Sequence, residues 1–181
     1  MNRYRGIVII VAVLAIIVSL FMLHQPKRTS STSSVSSTSS LLAIGKQAPL
    51  FQLPTISGQV FSLAANKGKT IVMFGMFGSC SDCIPEGQAL NQIRQSDGSS
   101  VEVIGLDVLN GEPASVLRNY EQIAKINIPL ALFNQPVISA YRLTQPEITY
   151  IINKNGRLAY ASSTFTNEAS LQQQVKKAIN G

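Results

Sequence analysis

The chain is short of the residues that most often carry metal and acid–base chemistry. Among its 181 residues are two cysteines, Cys80 and Cys83, one histidine, His24, and no tryptophan. A zinc site needs two further Cys or His ligands beside that cysteine pair, and His24 lies near the other end of the chain, so no metal centre is expected. Acidic residues are few as well: there are nine, and all lie after position 80. The formal charge of +6 is therefore local in origin, since Arg3, Arg5, Lys27 and Arg28 supply four of the 15 basic residues, leaving 11 basic against 9 acidic over residues 44–181. A balance of +2 describes a solvated surface without a basic run to follow a phosphate backbone, which excludes nucleic acid as a partner. No internal repeat is present.

What the N-terminal part does have is a long apolar run. Gly6 to Leu23 gives 18 residues without a charge, near the lower limit for a membrane span and longer than the core of a signal peptide. His24-Gln25-Pro26-Lys27 after it offers no A-x-A-like cleavage pattern, so an uncleaved anchor is expected. Residues 1–5 are then a short cytoplasmic tail, 6–23 the transmembrane anchor, 24–43 a flexible linker and 44–181 a folded extracytoplasmic domain of a single-pass cell-membrane protein. The linker follows from composition: from Thr29 to Ser40, eleven of twelve residues are Ser or Thr, too polar to build a core and able to hold a domain roughly 20 Å from its anchor.

Within the domain the hydrophobic pattern switches between strand and helix periods. Gly45 to Leu53 and Gln59 to Leu63 read as a pair of short extended pieces turned at Ser57-Gly58. Lys69 to Phe74 and Val101 to Asp107 read as buried strands, separated by a helix from about Ser81 to Gln95 that Asp97-Gly98 stops. Pro113 opens a second helix, with Val116, Leu117, Tyr120, Ile123 and Ala124 at helical spacing. A short strand at 129–133, a short helix at 137–141, two strands at 148–152 and 157–161 around a two-residue Asn155-Gly156 turn, and a last helix from about Asn167 to Ile179 complete the pattern.

Cys80 and Cys83 fall where the first buried strand turns into the first helix. At i and i+3 their Cα atoms are expected roughly 5–6 Å apart, inside the window of a disulfide, so the pair can open and close with little backbone movement. A static bridge gains more from closing a long loop than a short one, which favours a redox role. The helix N-terminus favours a thiolate on Cys80, the nucleophile, and leaves Cys83, facing the core, to resolve the mixed disulfide.

Three blocks together resemble a known family: Gly45-Lys46-Gln47-Ala48-Pro49-Leu50-Phe51-Gln52-Leu53, the segment from Cys80 to Glu86, and Pro146-Glu147-Ile148-Thr149-Tyr150-Ile151-Ile152-Asn153-Lys154-Asn155-Gly156-Arg157. They are similar to the membrane-anchored TlpA/ResA-type thiol-disulfide oxidoreductases of the redoxin (AhpC-TSA) group, over a stretch from about Ile44 to the C-terminus. The resemblance implies an α/β, thioredoxin-like fold: a central mixed sheet flanked by helices, with an N-terminal β-hairpin extension. It makes Pro146 a cis-proline facing the disulfide, frees the Gln145 carbonyl to pair with a substrate strand, and makes Glu86 an acid–base residue for Cys83. It implies no cofactor beyond the redox-active disulfide, client protein disulfides or thiols as partners, and a membrane thiol-disulfide protein as electron donor. Cytochrome c maturation is one role within such a family.

The departures from that pattern are informative. Ser79 occupies the place of the family's tryptophan before the first cysteine, at the substrate-binding rim, so the flat apolar plate is missing. Asp82 between the sulfurs opposes a thiolate on Cys80 and pushes the pair in the reducing direction, toward a reductase. Peroxidase chemistry would want Pro and Thr where Met73 and Phe77 stand. A Cu(I) metallochaperone using the two thiolates, or a non-catalytic accessory domain of a membrane complex, are the alternative functions.

Overall fold

The computed structural model describes residues 41–181. The expected tail, the anchor at 6–23 and the linker up to residue 40 lie outside the described residues, and among the described residues no helix is long and apolar enough to cross a membrane. Leu41 and Leu42, assigned to the linker by composition, pack against the domain, and the Leu42 N–H donates to Tyr150 Oη at 3.1 Å.

The architecture follows from two buried strands. Strand β3 (Thr70–Met76) is buried along all seven residues, the pattern of a strand covered on both faces. It pairs in parallel with β4 (Val101–Asp107), from Thr70 opposite Val101 to Met76 opposite Asp107. On its other side β3 pairs antiparallel with β6 (Thr149–Ile152), which pairs antiparallel with β7 (Leu158–Ser162). A two-residue β5 (Leu130–Ala131) adds in parallel to β4, giving the order β5-β4-β3-β6-β7. Helices α1 (Ile84–Asp97) and α2 (Ala114–Ala124) make the crossovers, α3 (Gln135–Tyr141) precedes β6, and α4 (Glu168–Asn180) closes the chain behind an Asn167 cap on the Ser170 N–H. This is the mixed sheet with flanking helices expected from the sequence, and β1 (Gln52–Pro54) with β2 (Val60–Ser62) forms the expected N-terminal hairpin.

Successive residues of β3 point to opposite faces, and each face has its own core. Val72, Phe74 and Met76 pack with both cysteines and with α1, α2 and α4. Ile71 and Met73 pack with Phe51, Leu53 and Phe61 of the extension and with Val137, Ile138 and Tyr141 of α3. The extension reaches both edges of the sheet: Gln47 bridges Arg157, next to β7, and Thr55 bridges Ala131 on β5.

Two local expectations change. The β6–β7 connection is wider than two residues: the Gly156 N–H bonds to Asn153 O at 2.8 Å, and only Gly156, at φ +76°, enters the left-handed region. Asn153 stabilises that wider turn by accepting from the N–H groups of Asn155 and Arg157. The first helix begins at Ile84 rather than Ser81, because Pro85 has no N–H to bond the Ser81 carbonyl. Residues 80–84 take tighter turns instead, with Cys83 N–H to Cys80 O at 3.3 Å and Ile84 N–H to Ser81 O at 3.2 Å.

Candidate active site

The site lies where β3 ends. After Met76 the chain makes a turn through Phe77, Gly78 and Ser79, and the Cys80 N–H folds back onto the Phe77 carbonyl at 3.0 Å. Cys80 and Cys83 are joined as a disulfide with Cα atoms 5.3 Å apart. The pair is unequal: Cys80 keeps 8% of its surface exposed, Cys83 none. The tight turn forced by Pro85 also brings the Cys83 N–H to 3.2 Å from Cys80 Sγ, a donor aimed at the sulfur where a thiolate would form. Cys83 itself is the N-cap of α1, so the free amides of the helix start lie directly behind Cys80. Pro85 sits in the first turn, where a missing N–H costs nothing. Ser79, Ser81 and Asp82 are exposed around the pair.

Glu86 is in the first turn of α1 and fully buried. Its Oε1 accepts from the Thr149 hydroxyl at 2.6 Å and its Oε2 from the Thr166 N–H at 3.2 Å, so the carboxyl is held between α1, β6 and the loop before α4. Burial raises its pKa from 4.5 to about 7; the two hydrogen bonds oppose that rise and the nearby Glu147 charge adds to it. The group thus exchanges a proton near neutrality, one helical turn from Cys83.

Tyr120 of α2 anchors the same turn, donating from its hydroxyl to the Cys83 carbonyl at 2.9 Å. Burial, reinforced by the charge of Glu86, pushes that hydroxyl far above its ordinary value, so it stays a neutral donor. The contact explains Gly87: a Cβ there would come within 2.7 Å of Tyr120 Oη.

The expectation for Pro146 needs correction. No peptide bond among the described residues is cis, so the Gln145–Pro146 bond is trans. The chain reverses one residue later, at Glu147, whose φ of +63° puts it in the left-handed region and whose N–H bonds to the Gly75 carbonyl at 2.8 Å. A trans proline followed by a left-handed residue is the arrangement of a type II turn, which needs no cis bond. The turn remains beside the end of β3, since Gly75 N–H bonds in return to Ile148 O at 2.8 Å. Gln145 is exposed, its amide donating to the Ser163 carbonyl at 2.9 Å.

The structure therefore joins Cys80, Cys83 and Glu86 around the start of α1. Sequence reasoning missed Thr149, Thr166, Tyr120 and Glu147 as partners of that group. Thr149 carried a signal, being a small hydroxyl residue at the head of a fully buried strand, Thr-Tyr-Ile-Ile; Thr166, in a polar loop, carried none. Among the described residues no group of three or more His, Cys, Asp or Glu could hold a metal ion.

The chain is 24% identical over 113 residues to the thioredoxin-like protein YneN of Bacillus subtilis (strain 168), covering 62% of this chain and 66% of that one, just short of two thirds of its length. It is 27% identical over 132 residues to the thiol-disulfide oxidoreductase ResA of Geobacillus thermodenitrificans (strain NG80-2), covering 70% and 74%. The fold is similar to that of a thiol:disulfide interchange protein of the thioredoxin family from Chlorobium tepidum TLS, with a TM-score of 0.67, 22% identity and coverage of 76% of this chain and 99% of that one. The AhpC/TSA family is matched over residues 44–161, more than half of the chain and inclusive of both cysteines, Glu86 and Thr149, and the protein belongs to that family.

Proposed function

We propose that the protein is a thiol-disulfide oxidoreductase that works through Cys80 and Cys83 in the direction of a reductase. The observation that carries the reading is the inequality of the pair: one cysteine that keeps 8% of its surface exposed and has an N–H aimed at its sulfur, the other fully buried one turn from a titrating carboxyl. In the reduced protein the Cys80 thiolate attacks one sulfur of a client disulfide, forming a mixed disulfide and expelling a client thiolate. Cys83 then gives up its proton and attacks Cys80 Sγ, releasing the second client thiolate and leaving the Cys80–Cys83 bridge. Two electrons pass to the client, and a dithiol donor restores the pair. Glu86 takes the proton of Cys83 in the second step, a task suited to an acid whose pKa lies near 7.

The clients are proteins carrying accessible disulfides, admitted at the rim formed by Ser79 and Gln145. The reading extends to the anchor at residues 6–23, an extracytoplasmic position for the domain and a membrane thiol-disulfide protein as donor; these rest on the sequence pattern alone. Trapping tests the chemistry. The Cys83→Ala variant, mixed with a disulfide-containing peptide, should accumulate a mixed disulfide at Cys80, and Cys80→Ser should form none. A mixed disulfide at Cys83 in the Cys80→Ser variant, formed at the wild-type rate, would overturn the assignment.

A further inference from the structure

The mechanism above uses one buried acid, but a second lies on the other flank of the redox loop. Asp107 ends β4 opposite Met76 and is fully buried. Its Oδ1 accepts the Leu109 N–H at 2.8 Å, while its Oδ2 meets no donor among the described residues. A buried charged oxygen without a donor is costly, so this carboxyl calls for a proton. Glu112 interacts with it directly, and burial first, then the neighbouring Glu112 charge and carboxyl contact, raise Asp107 to about 6. The unpartnered oxygen and the neighbouring Glu112 carboxyl both favour a proton on Asp107.

Glu112 also reaches the redox loop. Its Oε2 accepts the Gly78 N–H at 2.7 Å, two residues before Cys80. Gly78 is pressed from the other side by α2, where a Cβ would come within 2.5 Å of Val116 Cγ1 and 2.9 Å of the Val116 carbonyl carbon. The loop is thus gripped at residue 78 by a carboxylate and a helix backbone. The groups that act on Asp107 are Glu112 and the Leu109 N–H; β3 presents the uncharged Met76 in register, and α2 presents the uncharged Val116 at Gly78. Glu86 is engaged elsewhere, by Thr149 and Thr166.

We propose that Asp107 and Glu112 are positioning residues of the redox pair: Asp107 holds a proton beside Glu112, and Glu112 clamps the Gly78 N–H so that the Phe77–Cys80 loop holds Cys80 Sγ at the start of α1. The inference rests on the thiol-disulfide reading of the pair and adds the group that sets the geometry of its nucleophile. With the proton on Asp107, no second charge opposes Glu112 and its hydrogen bond to Gly78 holds the loop. When Asp107 loses that proton, its new negative charge repels Glu112 and the grip on the loop loosens.

The test uses the full chain in reduced form and compares wild type, Glu112→Gln, Glu112→Ala and Asp107→Asn between pH 5 and 8. Two rates are read, reduction of 4,4′-dithiodipyridine and alkylation of Cys80 by iodoacetamide. Glu112→Ala should slow both by roughly tenfold, the scale of a misplaced reacting atom. Glu112→Gln keeps an acceptor for Gly78 and a donor for Asp107, so it should recover most of the rate while losing the inflection near pH 6 expected of wild type. Asp107→Asn should lose the same inflection. Wild-type rates and pH profile in Glu112→Ala, or a Glu112→Gln variant as slow as Glu112→Ala, overturn the clamp. Alkylation reads Cys80 whether or not the protein reduces disulfides, so failure of the clamp and failure of the oxidoreductase reading give different results.

Discussion

The two faces of the central sheet are built from the same strands and put to different uses. On the face covered by the hairpin and α3, Phe51 stacks on Phe61 at 6.0 Å and meets Tyr141 edge-on at 5.7 Å, and Tyr141 meets Tyr150 at 5.7 Å. The tyrosine hydroxyls there are satisfied by backbone, Tyr141 donating to Pro49 O and Tyr150 accepting from Leu42 N–H. On the face covered by α1, α2 and α4 the core contains the disulfide and the fully buried Glu86. Asp107 belongs to this face too, two-residue alternation carrying it to the side of Val101 and Val103.

The difference separates stability from chemistry. Buried aromatic rings stabilise at every pH, whereas a buried carboxyl makes stability depend on pH. Glu86 holds its proton up to about 7 in the folded chain and loses it near 4.5 in the unfolded chain. The unfolded state therefore binds fewer protons between those values, and stability falls as pH rises through the window. Above about pH 7 the cost reaches about 3 kcal/mol, an order-of-magnitude figure from the difference of the two values.

The sharpest break in the comparison is Cys80→Ser, which should abolish disulfide reduction while leaving the denaturation curve of the reduced protein close to that of the reduced wild type. On the opposite face, Phe51→Ala should cost about 3–5 kcal/mol in urea unfolding and leave the midpoint potential against a glutathione buffer unchanged; a shifted potential would show that the faces are coupled. Glu86→Gln should do the reverse of Phe51→Ala. We expect a gain approaching 3 kcal/mol at pH 8 that vanishes at pH 4, together with release of the mixed disulfide about 10–100-fold slower near neutrality. Equal stabilisation at both pH values would argue against a titrating Glu86. Smallest of all, Tyr120→Phe should cost about 1 kcal/mol for the lost hydrogen bond to the Cys83 carbonyl, read as a modest fall in thermal midpoint.

The parts of this arrangement that follow local rules could be read from the sequence. The continuous apolar run of β3, the cysteine pair at its end and the Asn155-Gly156 reversal all act over a few residues. Helix α1 started later than its apolar period suggested because a proline removes one hydrogen bond without changing the hydrophobic pattern. The trans bond at Pro146 was hidden for a related reason: Glu147 takes the left-handed conformation that makes the turn, and nothing in a glutamate announces it. Asp107 and Glu112 were out of reach altogether, since the approach of Glu112 to Asp107 and to the Gly78 N–H depends on where β4 ends relative to β3.

One feature of the extension reaches beyond the active site. A strand edge offers unpaired N–H and C=O groups to any other extended chain, and sheets with open edges tend to join edge to edge. Here Gly45 and Lys46 bond to both main-chain groups of Leu158 on the β7 edge, while Ile56 N–H bonds to Leu130 O on the β5 edge. A single segment thus occupies places on both sides of the sheet where a second molecule could add. Because it precedes β5 and β7 in the chain, it is already present when those strands form during synthesis, the stage at which exposed edges are most apt to aggregate.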